Sequence, residues 1–423
     1  MSQSSLNRIK PFSATNIRSL TLKIKPSNLN SNLKVMARSV MAKLDNLWRV
    51  SPKVCKNVRI WAETQPPTIA QTLYTRQVAP RTNCRPQPKT IEATTPQVFI
   101  DSLARRPIGR YLTQISNAKV IGNEGIIILP DGLYTEEPAK YDFLLQGLPE
   151  YYSAVRHLFL KRRTVKGNYF SLMQMWSTTH NYYHTLRDNV NRLYDALEYL
   201  PDDVIFLVPQ KLKAWQYEIL ATLGIGKDRL LNFPKFEIWT IESLYFTPHG
   251  PTLEMGTTEA FEWGRQRFYD HHAIEPTPQT QTELIYISRA LTSWRRIVNE
   301  AEVERLLASY GFTTYLTEKM NIGQQVELFS RAKVVVSATG AALANLMFAQ
   351  EGTHVLEIST KESDPVLGDY YCEATWATCE DMGHHYSFFH GEAVDRPGNI
   401  RQDMYICLEK LERSIQNILS TLP

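Results

Sequence analysis

Apolar residues in the second half of the chain fall into short runs, and stretches with helical spacing separate them. Such runs, with few polar interruptions, are typical of strands that are buried on both faces of a parallel sheet. Strands that alternate with helices in this way predict a doubly wound α/β fold. The predicted strands lie at 283–287, 312–316, 333–336 and 354–358, and the predicted helices lie at 299–310, at 322–331 and from Ala341 onward.

The first half carries the same kinds of segment in a less regular order. It opens with three short apolar runs, the last of which ends at the turn signal Pro130-Asp131-Gly132 and so predicts a small β meander. Alternating helices and strands follow, which indicates a second Rossmann-like unit. The predicted strands lie at 98–100, 118–121, 125–129, 204–208 and 244–246, and the predicted helices run from Tyr182 to about 200 and over 212–223.

Two proline-containing stretches divide the chain. Residues 51–96 and 268–282 are rich in polar residues and prolines, which stop regular elements. A chain of 423 residues also exceeds the ~250 to 300 at which a single hydrophobic core stops growing. We therefore expect a leader, helix and linker over 1–97, an N-terminal domain over 98–267, a linker over 268–282 and a C-terminal domain over 283–423.

Charge is distributed unevenly along the chain. The first 100 residues contain 16 Lys and Arg but three acids, a charge of +13, whereas the rest contains 31 and 40, a charge of −9. Residues 33–49 have apolar positions at three- and four-residue spacing, which predicts an amphipathic helix. This helix could contact a membrane peripherally or pack on the body of the protein. Nucleic acid is not an expected partner, because no known nucleic-acid-binding motif accompanies the basic residues.

Cysteine usage and hydropathy bear on the compartment. The five cysteines are odd in number and widely scattered, so they form no disulfide framework and favour a reducing compartment. No apolar run approaches the ~18 to 20 residues that cross a bilayer, and the N-terminus lacks the apolar segment of a signal peptide. A cytoplasmic location is expected. Residues 1–44 are rich in Ser and Asn, basic and free of acids, which leaves an organelle transit segment as an alternative.

Side chains and backbone groups that could bind phosphate or ribose lie at the ends of three predicted strands. Arg289, Arg295 and Arg296 follow the strand at 283–287, and a turn of small residues over 337–345 follows the strand at 333–336. Guanidinium groups and backbone amides at helix starts both bind phosphate. Glu357, near the end of the strand at 354–358, suits a ribose hydroxyl. Close packing would also explain the small residues, and ion pairs would also explain the charged ones.

Several motifs, taken in order, resemble glycosyltransferase family 61, which includes capsule-type bacterial enzymes, plant xylan transferases and animal O-GlcNAc transferases. In the first half, Asn-Tyr-Tyr-His-Thr-Leu-Arg-Asp at 181–188 is similar to the family's Asn-Tyr-Tyr-His-Trp-x-x-Asp segment. The other motifs are Tyr-Ile-Ser-Arg at 286–289, Trp-Arg-Arg-Ile-Val-Asn-Glu at 294–300, Gly-Phe at 311–312, Gln-Val-Glu-Leu-Phe-Ser-Arg-Ala at 325–332, Gly-Ala-Ala-Leu-Ala-Asn at 340–345 and Val-Leu-Glu-Ile at 355–358.

The resemblance implies a GT-B arrangement of two Rossmann-like domains facing a cleft, a nucleotide-sugar donor and inverting chemistry. It also assigns roles to residues. His184 and Asp188 lie four apart on one helical face, and either would act as the general base with the other orienting it, although a packed core histidine is the alternative. The donor-binding residues that it implies are Arg289 and Arg296 for the diphosphate, Thr339, Gly340 and Ala341 in the turn, and Gln325, Asn345 and Glu357 for the ribose or base.

Metal and cofactor requirements are also predicted. The chain contains no Asp-x-Asp, the carboxylate pair that usually holds a divalent ion on a donor diphosphate, so arginines and amides must meet the leaving-group charge. We therefore expect no metal and no cofactor. The histidines at 271–272, 384–385 and 390 match no common zinc spacing, even with Cys372 and Cys379 near the last three.

One position departs from the family pattern. The family usually has His-Gly-Ala before the helix, whereas this chain has Thr339-Gly340-Ala341. The sequence therefore predicts an inverting, metal-independent glycosyltransferase that moves a hexose or pentose onto a saccharide acceptor, in synthesis of a cell-surface polysaccharide such as a capsule. The alternative is a noncatalytic module that holds a nucleotide sugar.

Overall fold

The computed structural model describes residues 54–55, 57–76, 89–90, 110–122, 125–135, 160–173, 181–248, 258–360, 370–395 and 402–422. Within these ranges the chain has an α/β structure with two β-sheets. The predicted helix over 33–49 and the predicted strand at 98–100 lie outside the described residues.

The described strands form an N-terminal and a C-terminal sheet. They are β1 (Val54–Cys55), β2 (Ala70–Arg76), β3 (Lys89–Thr90), β4 (Arg110–Ile121), β5 (Ile126–Ile128), β6 (Tyr134–Thr135), β7 (Lys161–Ser171), β8 (Ile205–Pro209), β9 (Leu230–Phe233), β10 (Glu237–Phe246), β11 (Glu283–Ile287), β12 (Thr313–Tyr315), β13 (Ala332–Ala338), β14 (His354–Thr360), β15 (His385–Ala393) and β16 (Met404–Tyr405). β3, although early in the chain, pairs with β15 of the C-terminal sheet.

Helices connect or cover these strands. They are α1 (Val58–Glu63), α2 (Tyr182–Ala196), α3 (Ala214–Thr222), α4 (Thr258–His272), α5 (Glu300–Ser309), α6 (Ile322–Ser330), α7 (Tyr370–Asp381) and α8 (Leu408–Ser420). The segment Ala341–Phe348 is a 3-10 helix, where an α-helix was expected. Leu343 donates its N–H to the oxygen of Gly340, so this segment winds with the three-residue repeat that places Leu343 and Leu346 on one buried side.

The N-terminal sheet is mixed. Among the described residues its order is β1-β6-β5-β4-β10-β7-β8-β9, and β2 also pairs with β4. β4 is antiparallel to β2, β5 and β10, whereas β10, β7, β8 and β9 run parallel to one another. Of the three strands of the predicted meander, those at 118–121 and 125–129 correspond to β4 and β5, and the one at 98–100 lies outside the described residues. β7 and β9 have no counterpart among the strands expected from sequence, because β7 is largely polar and exposed at its start.

Part of the predicted linker over 51–96 is folded. α1 lies within it, and β2 adds to the sheet through register pairs such as Ala70 with Ile115. Trp61 and Ala62 of α1 are buried in the same apolar cluster as β4. The prolines of this stretch therefore separate short elements without preventing them, which corrects the expectation that regular structure stops there.

The C-terminal sheet has the order β12-β11-β13-β14-β15, and all of these neighbours are parallel. Four of these strands confirm the four expected from sequence. Because the chain moves from β11 to β12 on one side and then back to β13 on the other, the direction of winding reverses between β11 and β13. In open parallel sheets, ligands bind outside the carboxyl ends of the strands at such a switch point. β16 then pairs antiparallel with the end of β15.

One apolar cluster contains residues from both sheets. Phe206 of β8, Val190 of α2 and Val335 of β13 all belong to it. α2 and α4 contribute residues to this cluster and extend it from one half to the other. The two helices can approach closely because residue 264 of α4 is glycine: a Cβ there would lie 2.7 Å from Val190 Cγ1 of α2. The sheets therefore share a continuous core.

The predicted linker over 268–282 begins inside α4. Phe268 is fully buried, and its ring lies 4.9 Å from that of Phe348 between ring centroids. Residues 268–272 are thus the last turn of a packed helix and not part of a linker, because the Phe268 side chain is buried against Phe348. The domain boundaries at 98, 267 and 283 stay a prediction.

Candidate functional site

The candidate site lies where β11 and β13 end, at the switch point of the C-terminal sheet. Arg289 follows β11 by two residues, and Thr339 and Gly340 directly follow β13. Ala341, half-buried, begins the 3-10 helix. Because adjacent parallel strands end at the same edge, the sheet itself brings these two turns together.

Arg289 is held by the loop that it begins. Its side chain is buried, with 8% of the residue exposed. Its Nε donates to the oxygen of Arg295 at 3.2 Å, and its Nη2 donates to the oxygen of Trp294 at 3.1 Å. A Cβ on Gly340 would lie 1.9 Å from Arg289 Nη1, so the guanidinium rests against Gly340 and would have to move if a side chain replaced the glycine hydrogen.

Positive charge is concentrated at this loop. Burial, together with the charge of the nearby Arg295, lowers the pKa of Arg289 to about 10, against the opposing effects of Glu318 and Glu300. Two guanidinium groups that repel each other beside a glycine turn are suited to bind an anion, since an anion offsets the repulsion and accepts their hydrogen bonds. Arg295, with a positive φ of 56°, was noted in the sequence but not assigned to the site.

Arg296 is directed to a different partner. Its Nε and Nη2 donate to Asp403 Oδ2 at 2.9 and 2.6 Å, and its backbone N–H donates to Asp403 Oδ1. This pairing raises the pKa of the exposed Arg296 guanidinium. The assignment of Arg296 to the donor diphosphate stays a prediction. In the structure its guanidinium pairs with Asp403, which lies more than 100 residues away along the chain and was not detectable from spacing.

Glu357 lies beneath the site and is fully buried. Its two carboxylate oxygens accept hydrogen bonds from Thr375 Oγ1 at 3.1 Å and from Tyr386 Oη at 2.8 Å, and the Thr339 side chain also bonds to it. Burial raises the pKa of Glu357 to about 7, although these hydrogen bonds and the charge of Arg295 act in the opposite direction. The structure therefore places Glu357 behind the Thr339 turn, where it supports the turn from inside the sheet.

Thr339 also faces inward. Its N–H donates to the oxygen of Ile358 at 2.8 Å, and its hydroxyl lies 3.3 Å from the same oxygen. The residue is 4% exposed. Its backbone thus bonds to β14, and its side chain bonds to β14 and to Glu357, so Thr339 fixes the position of Gly340.

Gln325 and Asn345 form a buried chain of hydrogen bonds. Asn345 Nδ2 donates to Gln325 Oε1 at 2.8 Å, and Gln325 Nε2 donates to the oxygen of Met320 at 3.2 Å. Tyr182 at the start of α2 donates its hydroxyl to Asn345 Oδ1 at 2.5 Å, and burial raises the pKa of Tyr182. The predicted ribose or base contacts are thus occupied by partners within the chain, and this hydrogen-bond chain joins the two halves.

His184 and Asp188 form a hydrogen-bonded pair on α2. His184 Nδ1 lies 3.0 Å from Asp188 Oδ2, as the four-residue spacing on one helical face predicts. The Asp188 side chain is fully buried, while 12% of the His184 side chain is exposed. Tyr182, two residues earlier, contacts Asn345, so the start of α2 lies against the C-terminal half. The arrangement suits an imidazole that a carboxylate holds in one orientation.

No group of three or more His, Cys, Asp or Glu side chains within the described ranges is arranged to hold a metal ion. His384, one of the histidines considered in the sequence, is buried against the oxygen of Leu346, and burial lowers its pKa to about 4. Of the helices that the structure describes, none is long and apolar enough to cross a membrane.

Comparison with known proteins agrees with this geometry. A search of curated proteins found no significant match to the chain. The model of the family described as Glycosyltransferase 61 matches residues 182–356, which begin at α2 and end within β14. The matched segment contains the His184 pair and the Arg289 loop, and it ends one residue before Glu357. This match supports a glycosyltransferase of family 61, in agreement with the resemblance that the sequence motifs carry.

Proposed function

We propose that the chain is an inverting, metal-independent glycosyltransferase that moves a sugar from a nucleotide-sugar donor to a saccharide acceptor. One observation carries the donor part of this proposal. The Arg289 guanidinium lies against Gly340 at the switch point and near enough to Arg295 for the charge of Arg295 to lower its pKa, and both arginines lie within the segment that matches the family. A diphosphate is the group of a nucleotide sugar that two such cations and a glycine turn would bind.

The arginines would stabilise the leaving group. As the bond between the anomeric carbon and the diphosphate oxygen breaks, that oxygen takes the electron pair and gains negative charge. Guanidinium groups held in place beforehand stabilise this charge without reorganising. The loop oxygens of Trp294 and Arg295 hold Arg289 in this way.

His184 would activate the acceptor. In a single in-line displacement, the acceptor oxygen attacks the anomeric carbon and inverts its configuration, and the hydroxyl proton moves to His184 Nε2. Asp188 accepts from Nδ1, which fixes the tautomer and stabilises the imidazolium that forms. The bond between the acceptor oxygen and the anomeric carbon forms as the bond to the diphosphate oxygen breaks, and one proton moves to the imidazole. The step therefore needs no further reactant.

The wider setting is also part of the proposal. We infer a GT-B arrangement in which the first half contributes the acceptor side and the second half the donor side, a hexose or pentose as the transferred sugar, and a role in cell-surface polysaccharide synthesis such as a capsule. The location would be cytoplasmic, with residues 33–49 as a peripheral membrane contact. Positive charge over the first 100 residues supports that contact, since the inner leaflet is anionic.

A noncatalytic nucleotide-sugar module is the second candidate. The observation that favours it is the inward-facing hydroxyl of Thr339, at the position where the family pattern has a histidine. A neutral side chain bonded to Ile358 and Glu357 adds no charge on the donor phosphates.

A ligand screen followed by a turnover assay separates the two candidates. The purified chain is titrated by calorimetry with UDP, GDP, CDP and CMP sugars, with and without EDTA, and any donor that binds is then tested for release of its sugar. Metal-insensitive binding with release or transfer supports the enzyme. Binding without release, even with oligosaccharide acceptors, supports the module, and binding only with a divalent ion contradicts the metal-independent mechanism.

A further inference from the structure

A small sheet extension continues directly from the arginine loop. Met404 donates its N–H to the oxygen of Arg296, and Val298 donates its N–H to the oxygen of Met404, both at 2.9 Å. On the other side, β16 pairs with the end of β15, and Val394 donates to the oxygen of Asp403 at 3.0 Å. We call the three segments 296–298, 403–405 and 392–394 the outer ribbon.

The outer ribbon has one buried and one exposed face. Ile297 and Met404, which form a bridge, are 4% and 1% exposed. Their neighbours point the other way, because side chains alternate along a strand. Val298 is 55% exposed, Val394 is 49% exposed and Tyr405 is 41% exposed, so this face carries three uncovered apolar side chains.

Strand alternation shows which side of the C-terminal sheet the exposed face continues. Phe389 and Met404 pack in the cluster that α5 and α8 cover. Phe388 packs in the cluster that the two halves share. Glu392 and Val394 lie an even number of residues from Phe388, so they share its side of the strand. The exposed face of the ribbon therefore lies on the same side of the sheet as the shared cluster, beyond the carboxyl ends of the strands.

The chemistry of this face suits a neutral, hydroxyl-rich chain. An aromatic ring flanked by Val298 and Val394 can pack against the C–H faces of sugar rings. The half-exposed Arg296 guanidinium and the exposed Glu392 offer planar groups that donate to and accept from hydroxyls, while the buried Asp403 holds Arg296 in place. Glu392, Asp395 and Asp403 place three carboxylates around this one guanidinium, and an acidic face disfavours a phosphate or an acidic glycan.

Distance along the chain places the face beside the site. Arg295 lies at the candidate donor site and Arg296 on the ribbon, and Val298 is three residues from Arg295, roughly 10 Å in extended backbone. A saccharide whose end reached the donor site would thus run across the ribbon.

We propose that the outer ribbon binds the saccharide acceptor chain, with the Tyr405 ring as the main contact, and that Arg296 serves this surface and not the donor diphosphate. This inference rests on the proposed function in that the bound saccharide is the acceptor of that reaction. It adds an acceptor surface on the C-terminal half, which carries the candidate donor site.

The test measures saccharide binding without donor. Neutral hexasaccharides of the cello, xylo, malto and chito series, and a heparin hexasaccharide as the acidic comparison, are titrated into the full chain and followed by calorimetry and ligand-observed NMR. The variants are Tyr405→Ala, Tyr405→Phe, Val298→Asp and, as the control for an exposed aromatic elsewhere, Phe236→Ala, whose side chain is 61% exposed.

At least one neutral hexasaccharide is expected to bind, and Tyr405→Ala should weaken it roughly tenfold, the scale of one well-placed aromatic contact. Val298→Asp should weaken it as well, while Tyr405→Phe and Phe236→Ala should stay within about twofold of wild type. Thermal midpoints within a few degrees of wild type identify the variants as folded. Binding of no neutral hexasaccharide, preference for heparin, or equal affinity in folded Tyr405→Ala and wild type would overturn the inference.

Nucleotide-sugar binding, measured on the same samples, separates this inference from the proposed function. If saccharide binding depends on Tyr405 but no nucleotide sugar binds, the proposed glycosyltransferase is contradicted and the saccharide-binding outer ribbon is retained. If the protein transfers sugar from a nucleotide sugar but saccharide binding does not depend on Tyr405, only the proposed role of the outer ribbon is contradicted.

Discussion

Replacing Glu357 by glutamine should change how the stability of the protein depends on pH. Burial raises the pKa of Glu357 from an ordinary value of 4.5 to about 7 in the folded chain. Between these two values the unfolded chain loses the proton and the folded chain keeps it. Wild type therefore loses stability through this group as pH rises from 4.5 to about 7, and the loss is complete above pH 7.

The size of this effect follows from the two pKa values. Each pH unit in the window changes the free energy of unfolding by about 1.4 kcal/mol, so the whole interval is worth about 3 kcal/mol. Glutamine has the same shape and no titrating proton, and the hydroxyls of Thr375 and Tyr386 can accept from its amide as well as donate to its oxygen.

Urea unfolding of both proteins, followed by tryptophan fluorescence at half-unit steps from pH 4.5 to 8, measures the difference in unfolding free energy. Contributions of all other groups cancel in that difference. Relative to wild type, Glu357→Gln should gain about 3 kcal/mol across the interval, while the exposed control Glu351→Gln should show no such gain. A difference in unfolding free energy that does not change with pH, or that falls as pH rises, would refute the inference that burial, and not the charge of Arg295, dominates the pKa of Glu357.

Three further predictions concern the site and its support. Gly340→Ala should destabilise the protein by roughly 1 to 3 kcal/mol, because its Cβ would overlap the Arg289 guanidinium; urea unfolding measures this, and an unchanged midpoint would contradict the packing. Asn345→Ala should cost about 2 to 4 kcal/mol, since it removes two buried hydrogen bonds and leaves their partners unpaired, and a loss below 1 kcal/mol in the same assay would argue against that chain of bonds. His184→Ala should lower kcat by roughly 10²- to 10⁴-fold at unchanged donor affinity, and Asp188→Asn should lower it less; full turnover in His184→Ala would exclude it as the base.

Much of the fold was predictable because its signals are local. The runs at 283–287 and 354–358 are short, apolar and separated by helical spacing, so buried parallel strands were the natural expectation, and both are present. β7 escaped prediction for a physical reason. Its first residues are charged and exposed, and it is a strand because β10 and β8 pair with it, not because of its own pattern.

The candidate site divides in the same way. A four-residue spacing placed His184 against Asp188, because helix geometry alone determines that contact. The partners of Arg296, Asn345 and Glu357 come from distant parts of the chain, so their occupied hydrogen bonds could not be read from spacing. Sequence therefore placed these side chains near the strand ends but could not show which of them are already engaged by partners within the chain.

Donor affinity of paired arginine variants tests the proposed function most directly. Calorimetry of wild type, Arg289→Ala and Arg295→Ala with the nucleotide sugar found in the screen, in EDTA, should show roughly 10- to 100-fold weaker binding in each variant, as expected for loss of a charge-assisted hydrogen bond to phosphate. The control Arg331→Ala, whose guanidinium pairs with Glu283 on the surface, should bind as wild type does. Equal donor affinity in wild type and in folded Arg289→Ala and Arg295→Ala would contradict the claim that this loop binds the donor.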